Sequence, residues 1–570
     1  MKSWPEHFVI MKSCLSSLYL ALGLILAGGP ILGAPNRPNV LLICVDDLKP
    51  LLGCYGYTGV KTPNIDRLAA RGVLFEKAYC NQAVCSPSRN ALMTGLRPTT
   101  LGIYDLGTNF RRAVPDATTL SQYFMQHGYR TEAMGKIYHV GHGNTNDPAS
   151  WSVPHWQPRG GGYALKESTA NSRPSRTGDP RGAATECADV PDSAYGDGMI
   201  ADEAIKRLRE AKERPGQPFF IAVGFLKPHL PFVAPKKYWD LYSPSSFEPP
   251  KNQKPPEGAP EFAPTTWGEL RQYSDIPEVG PLSIEQQRRL IHGYHAAVSY
   301  MDAQLGRVLD ELGRLGLMDN TIIVLWGDHG WHLGDHGMWC KHTNYEQANR
   351  IPLIFSGPMI VRGGRSSALG ETVDIYPTLC ELAGLPVPKG LEGASFVNAL
   401  KDPARATTKP AVFHAYPRSP RGIGELIGRA VRTDRYRLVE WKKPGAAAQT
   451  AILELYDYET DPEETRNIAA EKPEIVSSLR AMLARLPEAK PQLKSPASDN
   501  QKSANPNRPK LDRGAMFDRR DKNGDGKLTL EEFLIGQPDP AEAPKRFQLF
   551  DVNKDGVLSR EEFINAGKTK

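Results

Sequence analysis

The chain has 570 residues, which is enough for one large α/β domain with additional modules or for several domains of average size. Its net charge of +6 is small against 70 basic and 64 acidic side chains, and the sequence contains no long basic block. Composition and charge therefore disfavour nucleic acid and membrane surfaces as partners.

The first 34 residues (1–34) have the layout of a secretory signal. Lys2 and Lys12 precede the apolar run CLSSLYLALGLILAGG, and the small residues Gly33 and Ala34 follow it. A second apolar run of about 18 residues is not found in the rest of the sequence. We therefore expect an exported mature protein, periplasmic or extracellular, without a stable membrane span; a retained N-terminal anchor is the alternative.

The cysteine count adds a constraint. Eight cysteines are present, and removal of the signal with Cys14 leaves an odd number. In an exported chain, an odd count indicates that at least one thiol is unpaired or chemically special. The irregular spacing shows no pair of Cys-x-x-Cys motifs of the kind that binds zinc.

Short apolar runs alternate with helical patterns through residues 35–400. NVLLICVDD (39–47), PFFIAVGF (218–225) and TIIVLWGDHG (321–330) are typical of buried strands. Helical segments such as NIDRLAARG and TTLSQYFMQHG end in a glycine. This alternation predicts an α/β catalytic domain with a large, mostly parallel sheet sandwiched by helices and active groups at the carboxyl ends of its strands.

Composition also distinguishes two surface excursions, a C-terminal subdomain and a linker. Stretches 141–195 and 243–282 are rich in Gly, Pro, Ser and charged residues, which predicts two surface excursions that carry specificity. PAVFHAY, RAVRTDRYRLVEW and AILELYDY predict a smaller antiparallel C-terminal subdomain over 401–485. Residues 486–510 have almost no apolar content and are predicted to be a flexible linker.

Residues 511–570 contain two calcium-loop patterns. DKNGDGKLTLEE and DVNKDGVLSREE both place oxygen ligands and a turn glycine at the positions of a twelve-residue loop. Lys527 and Val557 stand where the backbone carbonyl is the ligand. The repeat resembles an all-α EF-hand pair with two calcium ions, and we expect a structural or docking module rather than a sensor. The predicted ligands are Asp521, Asn523, Asp525, Lys527 and Glu532, then Asp551, Asn553, Asp555, Val557 and Glu562.

Two pairs of vicinal polar residues end predicted strands: Asp46 with Asp47, and Asp328 with His329. If the two strands are neighbours in a parallel sheet, the pairs lie together at one edge. Three carboxylates favour a hard divalent cation, although the spacing alone also permits zinc, manganese or iron. Helix capping is the alternative role for either pair taken alone.

The stretch VCSPSRNALMTG (84–95) places Cys85 at a strand-to-helix boundary. From the residues alone, three roles are open: half of a disulfide, a thiolate nucleophile, or the precursor of another reactive group.

Over about residues 36–470, the sequence resembles the sulfatase family with its alkaline-phosphatase-like fold. The resemblance is carried by the motif Cys-x-Pro-x-Arg, the double aspartate, GKIYH (135–139), DHG (328–330) and Lys341. The resemblance implies that Cys85 is oxidised to formylglycine by a formylglycine-generating enzyme. One hydroxyl of the hydrated aldehyde then attacks sulfur, and collapse of the other expels sulfate. The aldehyde is regenerated without a second attack on sulfur, by water. It also implies one calcium ion, held by Asp46, Asp47, Cys85, Asp328 and His329.

The resemblance implies further catalytic roles. Arg89, one helical turn beyond Cys85, orients the hydrate and offsets its charge. Lys136 and Lys341 neutralise the sulfate oxygens. His139 is the base for collapse of the sulfated hydrate, and His229 donates a proton to the leaving alcohol, with help from Lys341.

Within the family, the sequence resembles the iduronate 2-sulfatase branch. This narrower resemblance is carried by LRPTTLGIYDL (96–106), GKIYH (135–139), AVGFLKPHLPF (222–232) and the Asp-His pair. This implies a sulfated carbohydrate substrate such as a 2-O-sulfated uronic acid. Possible readers of its carboxylate are Lys166, Arg173, Arg176 and Arg181.

Two other functions stay open at this point. The first is a phosphatase or phosphodiesterase of the same fold, which would be expected to use a Ser or Thr nucleophile and two zinc ions. The second is a catalytically silent, calcium-dependent protein that binds sulfated glycans.

Overall fold

The computed structural model describes residues 37–139, 141, 144, 146–174, 180–266, 268–405, 409–493, 513–535 and 543–566. The predicted signal at 1–34 and most of the predicted linker lie outside the described residues. Within the described ranges, no helix is both long enough and apolar enough to cross a membrane.

The catalytic domain is built on a central eight-stranded sheet and a two-stranded side sheet, counted over its described residues. The strands are β1 (Asn39–Val45), β2 (Gly72–Tyr79), β3 (Arg130–Gly135), β4 (Thr185–Ala188), β5 (Phe219–Phe225), β6 (Phe232–Pro235), β7 (Thr321–Gly327), β8 (Arg350–Ile351), β9 (Leu353–Ser356) and β10 (Gly364–Glu371). The central order is β10-β2-β9-β7-β1-β5-β3, with β8 paired to β2, while β4 and β6 form the side sheet.

Most strands of the central sheet run parallel to their neighbours, as the alternating sequence predicts. The neighbours β3, β5, β1 and β7 are parallel, and so are β2 and β10. The exceptions are β8 and β9, which run antiparallel to β2. The prediction of a mostly parallel sheet is confirmed.

Helices cover both faces of the sheet, which explains why its strands are continuous apolar runs. Along β1, Leu41 and Ile43 belong to one buried cluster and Leu42 and Cys44 to the other. The helices of this domain are α1 (Pro63–Ala70), α2 (Cys85–Thr94), α3 (Pro98–Leu101), α4 (Leu120–Gln126), α5 (Glu167–Ala170), α6 (Gly196–Lys212), α7 (Lys236–Trp239), α8 (Ile284–Arg314), α9 (Glu346–Asn349), α10 (Ile375–Leu382) and α11 (Val397–Lys401). Residues of α1, α6 and α8 pack in the first cluster, and residues of α2, α4 and α10 pack in the second.

The C-terminal subdomain is a four-stranded antiparallel sheet, as predicted. Its strands lie in sequence order: β11 (Val412–Arg418), β12 (Leu426–Arg432), β13 (Tyr436–Lys442) and β14 (Ile452–Asp457). Helix α12 (Pro473–Leu483) packs Val476, Leu479 and Leu483 onto this sheet.

The prediction of a flexible linker is wrong for residues 486–493, which are held on the catalytic domain. The Lys490 N–H donates to the Thr99 carbonyl at 2.9 Å, and the Leu493 N–H donates to the Gly102 carbonyl at 2.6 Å. The Tyr104 hydroxyl donates to the Lys490 carbonyl at 2.8 Å. Backbone hydrogen bonds therefore hold this segment on the catalytic domain, although its composition is polar.

The EF-hand pair has helices α13 (Arg513–Arg520), α14 (Leu530–Leu534), α15 (Ala543–Phe550) and α16 (Arg560–Asn565). The prediction of an all-α module needs one addition, because the two loops are joined by the short antiparallel strands β15 (Lys527–Leu528) and β16 (Leu558–Ser559). Leu528 and Leu558 pair across these strands and share a buried cluster with Phe517, Phe533 and Phe563.

Candidate active site

The two vicinal polar pairs meet at the carboxyl edge of the central sheet. Val45 of β1 lies opposite Gly327 of β7, so the residues that follow them are neighbours. The Asp328 N–H donates to the Val45 carbonyl at 3.0 Å, and the Asp47 N–H donates to Asp328 Oδ1 at 3.0 Å. The two strands are therefore adjacent, as the repeated strand-end pattern suggests.

The ends of β3 and β5 continue this edge. Lys136 follows β3, and the loop that carries His229 follows β5. A Cβ at Gly135 would lie 2.1 Å from the Gly224 carbonyl oxygen, and one at Gly224 would lie 2.2 Å from the Lys136 carbonyl oxygen. Glycine at both positions permits this close approach of the two strand ends.

Cys85 is the first residue of α2 and is only 1% exposed. Its Sγ lies 3.4 Å from Asp46 Oδ1 and 3.3 Å from His329 Nε2. The Lys136 ammonium lies 3.4 Å from the same sulfur. Cys85 is therefore surrounded by predicted metal ligands and one predicted sulfate-binding cation.

This environment bears on the three possible roles of Cys85. The residue is a free thiol, which removes the disulfide role. Burial raises the pKa of the Cys85 thiol well above its usual value, and the Asp46 carboxylate adds to the effect, against the opposing lysines. Among these side chains the thiol form of Cys85 is favoured over the thiolate.

Arg89 is fully buried beneath the same edge. Its Nε donates to Asp328 Oδ2 at 2.8 Å, and a terminal nitrogen donates to Asp46 Oδ1 at 3.3 Å. Another terminal nitrogen donates to the Lys136 carbonyl oxygen. Arg89 thus joins three strand ends and holds one carboxylate of each vicinal pair in place.

The acidic residues fit one divalent cation. Two overlapping sets of metal-ligating side chains both contain Asp46 and Cys85; one adds Asp47 and His229, and the other adds Asp328 and His329. Asp47 Oδ1 is buried without a hydrogen-bond partner among the described residues, and binding of a metal ion is one explanation for such an atom. A carboxylate-rich set of this kind suits a hard cation.

Two buried lysines flank the carboxylates. The Lys136 ammonium pairs with Asp46 Oδ2, and the Lys341 ammonium lies 3.1 Å from Asp47 Oδ2. Burial alone lowers the pKa of Lys341, but Asp47 and Glu269 outweigh it and raise that pKa well above its usual value. The two carboxylates therefore favour the charged form of Lys341 beside the predicted metal ligands.

Glu269 is a site residue that the sequence interpretation did not identify. Its Oε1 lies 3.1 Å from His229 Nε2, and its Oε2 lies 2.9 Å from the Lys341 ammonium. Burial raises the pKa of Glu269, but the positive charges of Lys341 and His229 lower it by more. The pKa of Glu269 therefore lies well below its usual value. No motif surrounds Glu269, and an acidic residue in a polar excursion is ordinarily solvated.

His229 is anchored at both ring nitrogens. Its Nδ1 lies 2.6 Å from the Leu230 carbonyl oxygen, opposite the Glu269 contact. Its Nε2 also lies 3.9 Å from Asp47 Oδ2. The structure therefore places the predicted proton donor against the metal ligands.

A cavity of about 650 Å³ opens over these groups. Five of the predicted catalytic residues line it, whereas Arg89 lies below them. Those five are Cys85, Lys136, His139, His229 and Lys341.

The cavity wall also contains two basic residues that the sequence interpretation left unassigned. Lys227 donates to the carbonyl oxygens of His229 and Pro231, and burial lowers the pKa of Lys227 to about 8. His342 lines the same wall, and burial lowers its pKa to about 3. His342 is therefore a neutral group at physiological pH.

Of the four basic residues proposed to read a carboxylate, Arg181 lines the cavity. Lys166 is exposed to solvent, and Arg173 donates to the Ile276 carbonyl at 2.8 Å. Arg176 lies outside the described residues.

The calcium loops show a compact arrangement of their predicted ligands. Asp521 Oδ1 accepts from the Gly524 N–H at 2.8 Å, and Asp521 Oδ2 accepts from the Gly526 N–H at 2.8 Å. The second loop repeats the pattern, because Asp551 Oδ2 accepts from the Gly556 N–H at 2.9 Å. The predicted turn glycines are left-handed, with φ of 77° at Gly526 and 84° at Gly556.

The sequence also matches known families. Residues 38–385 match the family "Sulfatase". The chain belongs to the sulfatase family. Residues 334–490 match the C-terminal region of N-sulphoglucosamine sulphohydrolase, and residues 513–566 match an EF-hand domain pair. The predictions of the enzyme family and of the EF-hand pair are confirmed.

Individual relatives refine the comparison. The chain is 38% identical to human iduronate 2-sulfatase over 397 residues, which is 63% of this chain and 71% of that protein. It is 33% identical to mouse iduronate 2-sulfatase over 505 residues, which is 76% of this chain and 91% of that protein. The similarity therefore spans 63% to 76% of this chain.

Solved structures support the fold. A protein in complex with its substrate D-glucosamine-2-N,6-O-disulfate superposes with a TM-score of 0.62 at 24% identity, covering 82% of this chain and 99% of that one. A phosphonate monoester hydrolase of Agrobacterium radiobacter superposes with a TM-score of 0.60 at 24% identity, covering 78% and 96%. At these identities the comparisons establish the shared fold.

Proposed function

We propose that this sulfatase hydrolyses the sulfate ester of a 2-O-sulfated uronic acid, using formylglycine at position 85 and one bound calcium ion. The observation that carries the proposal is the position of Cys85, whose sulfur contacts Asp46, His329 and Lys136 at once. A reactive group at this point lies within reach of both the metal ligands and a sulfate-neutralising cation. Similarity to iduronate 2-sulfatase supports the choice of sugar.

The metal centre is supported by the fit of its ligands. Asp46, Asp47, Asp328 and His329, with the group at position 85, would hold the ion. When present, formylglycine supplies a hydroxyl nucleophile, and calcium supplies Lewis-acid stabilisation of negative charge on oxygen.

Lys136 and Lys341 stabilise charge on the sulfate. Both are buried, and each pairs with one carboxylate of the Asp46–Asp47 pair. Negative charge builds on the sulfate oxygens as the ester bond breaks, and oriented ammonium groups in a site largely shielded from water stabilise it strongly. Arg89 acts below them by fixing the positions of Asp46 and Asp328.

The histidines move protons. His229 donates a proton to the leaving alcohol oxygen, assisted by Lys341, while Glu269 holds both side chains in position. His139 lines the same cavity and accepts a proton in the step that releases sulfate.

We further propose that the protein is exported and that a formylglycine-generating enzyme of the host modifies Cys85. The signal pattern at 1–34 and the family of the enzyme support this. The EF-hand pair binds two calcium ions through its loop carboxylates as a structural or docking module.

Phosphoryl transfer is the second candidate, because a phosphonate monoester hydrolase shares the fold. The cavity also contains the cationic side chains that phosphoryl transfer needs. However, both sets of metal-ligating side chains in the described part of the chain share Asp46 and Cys85, which indicates one ion rather than two. Cysteine also stands where Ser or Thr is expected.

One experiment separates these functions. Protein produced with a formylglycine-generating enzyme is assayed on a 2-O-sulfated uronic acid disaccharide, a 6-O-sulfated glucosamine, an aryl sulfate and a phosphonate monoester, with mass analysis of the Cys85 peptide. We expect the fastest release from the 2-O-sulfated uronic acid and a peptide that has lost one sulfur and two hydrogens and gained one oxygen. Faster phosphonate hydrolysis, full activity with sulfur still at position 85, or glycan binding without hydrolysis would each contradict the proposal.

A further inference from the structure

The two polar excursions meet at the cavity wall. Arg181 comes from the first excursion, and Tyr273 comes from the second. The Arg181 guanidinium carbon lies 5.5 Å from the centre of the Tyr273 ring, and one of its terminal nitrogens donates to the Tyr273 hydroxyl at 3.2 Å. Tyr273 is fully buried and Arg181 lines the cavity that contains Cys85, so the guanidinium is held on a rigid aromatic support.

The backbone around Arg181 is fixed on both sides. Arg181 and Arg173 exchange two backbone hydrogen bonds, of 2.9 and 2.8 Å. At the next residue, a Cβ on Gly182 would lie 2.2 Å from the Ser168 carbonyl oxygen, and the Ser274 N–H donates to the Gly182 carbonyl at 2.8 Å. The segment therefore joins the two excursions and limits the freedom of the Arg181 side chain.

Arg181 differs in its partners from Lys136 and Lys341, the cavity lysines that pair with carboxylates. Lys136 pairs with Asp46, and Lys341 pairs with Asp47 and Glu269. Among the described residues, no carboxylate forms an ion pair with Arg181, since the Glu269 oxygens contact His229 and Lys341 instead. A guanidinium has five N–H donors, and the Tyr273 hydroxyl takes one of them. Within the part of the chain that the structure describes, Arg181 thus keeps both charge and donors for a ligand.

We propose that Arg181 is a specificity-determining residue that binds the carboxylate of the uronic acid whose sulfate is removed. This inference rests on the proposed function. The planar guanidinium matches a carboxylate through two parallel hydrogen bonds, and stacking on Tyr273 presets its orientation. A cavity of about 650 Å³ accommodates one or two sugar units, so a carboxylate and a sulfate of one sugar can reach different walls at the same time.

The test uses a pair of substrates that differ only at the carboxylate. One is a 2-O-sulfated iduronic acid disaccharide, and the other is the same disaccharide with the carboxyl group reduced to a primary alcohol. For Arg181→Ala we expect kcat/KM to fall by about 10- to 100-fold on the first substrate, mainly through KM, and to change by less than about twofold on the second. Arg181→Lys keeps the positive charge but loses the two parallel N–H donors of the guanidinium. We expect this variant to lose less kcat/KM on the first substrate than Arg181→Ala does.

Arg173→Ala is the matched control, because it removes a cation of the same excursion whose side chain donates to the Ile276 carbonyl. We expect it to leave the preference between the two substrates unchanged. Thermal unfolding of each variant shows whether the excursions stay folded.

The outcomes separate the two proposals. If the wild-type enzyme shows no preference for the carboxylated substrate, the proposed substrate is wrong and the assignment of Arg181 falls with it. If the wild-type enzyme shows the preference and Arg181→Ala retains it, only the assignment of Arg181 is overturned. Equal losses on both substrates would show a purely structural role and would overturn it as well.

Discussion

The candidate cation sites of the active-site cavity and of the EF-hand loops are built in opposite ways. Each calcium loop takes its side-chain ligands from one contiguous stretch, such as Asp521 to Glu532, and the carboxylates accept from N–H groups of the same loop. The active site takes its groups from Asp46 to Lys341, across four strand ends, the first residue of α2 and one excursion. The loops are largely exposed, whereas the metal ligands of the cavity are buried.

This difference has an energetic consequence. In an exposed loop, water solvates each carboxylate, so the loss of one ligand alters ion binding and little else. In the buried site, every charge depends on its partners, and removal of one leaves another unpaired at low dielectric. We therefore expect substitutions in the cavity to have much larger effects on activity than substitutions in the loops.

The largest effect is expected for Cys85→Ala, which removes the precursor of the nucleophile. We expect kcat to fall by about 10³-fold or more, as for loss of a nucleophile in other hydrolases. Sulfate release measures the loss, and thermal unfolding should change little because alanine fits the space. Cys380→Ala, a buried cysteine on another helix, is the control; an equal loss there would contradict a special role for Cys85.

Lys136→Ala should lower kcat by about 10²-fold, because it removes an oriented cation from the developing charge of the sulfate. The matched control is Lys236→Ala, whose ammonium makes an ion pair 2.6 Å from Asp240 on the surface. Exposed pairs of this kind contribute at most about 1 kcal/mol. Similar losses of kcat in both variants would contradict the proposal that the buried Lys136 contributes to catalysis and the exposed Lys236 does not.

Glu269→Gln should lower kcat by about tenfold, since His229 and Lys341 lose the carboxylate that positions them. Because the pKa of Glu269 is depressed in the folded state, its stabilising effect is present above about pH 4.5 and is lost as the pH falls through the folded pKa. The variant should therefore be less stable than the wild type at pH 7, by about 2 kcal/mol, with the difference shrinking at lower pH.

Urea unfolding at pH 7 and at pH 4 measures this change. Glu278→Gln removes an exposed carboxylate from the same excursion and serves as the control. A stability difference that grows as the pH falls would contradict the assigned sign.

The smallest effect on activity is expected for the double variant Glu532→Gln and Glu562→Gln. It removes the closing carboxylate of both calcium loops, so calcium binding by the module should be lost. Sulfate release should stay within about twofold, and calorimetric titration with calcium measures the binding. A large loss of activity would show that the module contributes to catalysis.

The two regions also differ in how far the sequence alone predicts them. For the loops, ligand identity and position follow from local spacing, and the structure adds only the short strands that join them. For the cavity, the sequence predicts correctly that the two strand-end pairs are neighbours, as the register of β1 and β7 confirms. Glu269 was missed because its partners, His229 and Lys341, are distant in sequence and no local pattern indicates the contact.

By itself, the sequence determined the family, the alternation of strands and helices and the EF-hand pair, and it singled out Cys85 as the candidate nucleophile precursor. These follow from local patterns, because hydrophobic periodicity and ligand spacing act over a few residues. Only the tertiary structure decided that Arg89 joins both vicinal pairs, that Glu269 holds His229 and Lys341, and that Arg181 reaches the cavity on Tyr273. Such contacts join residues brought together by the order of strands in the sheet and by the packing of long excursions, which no local pattern records.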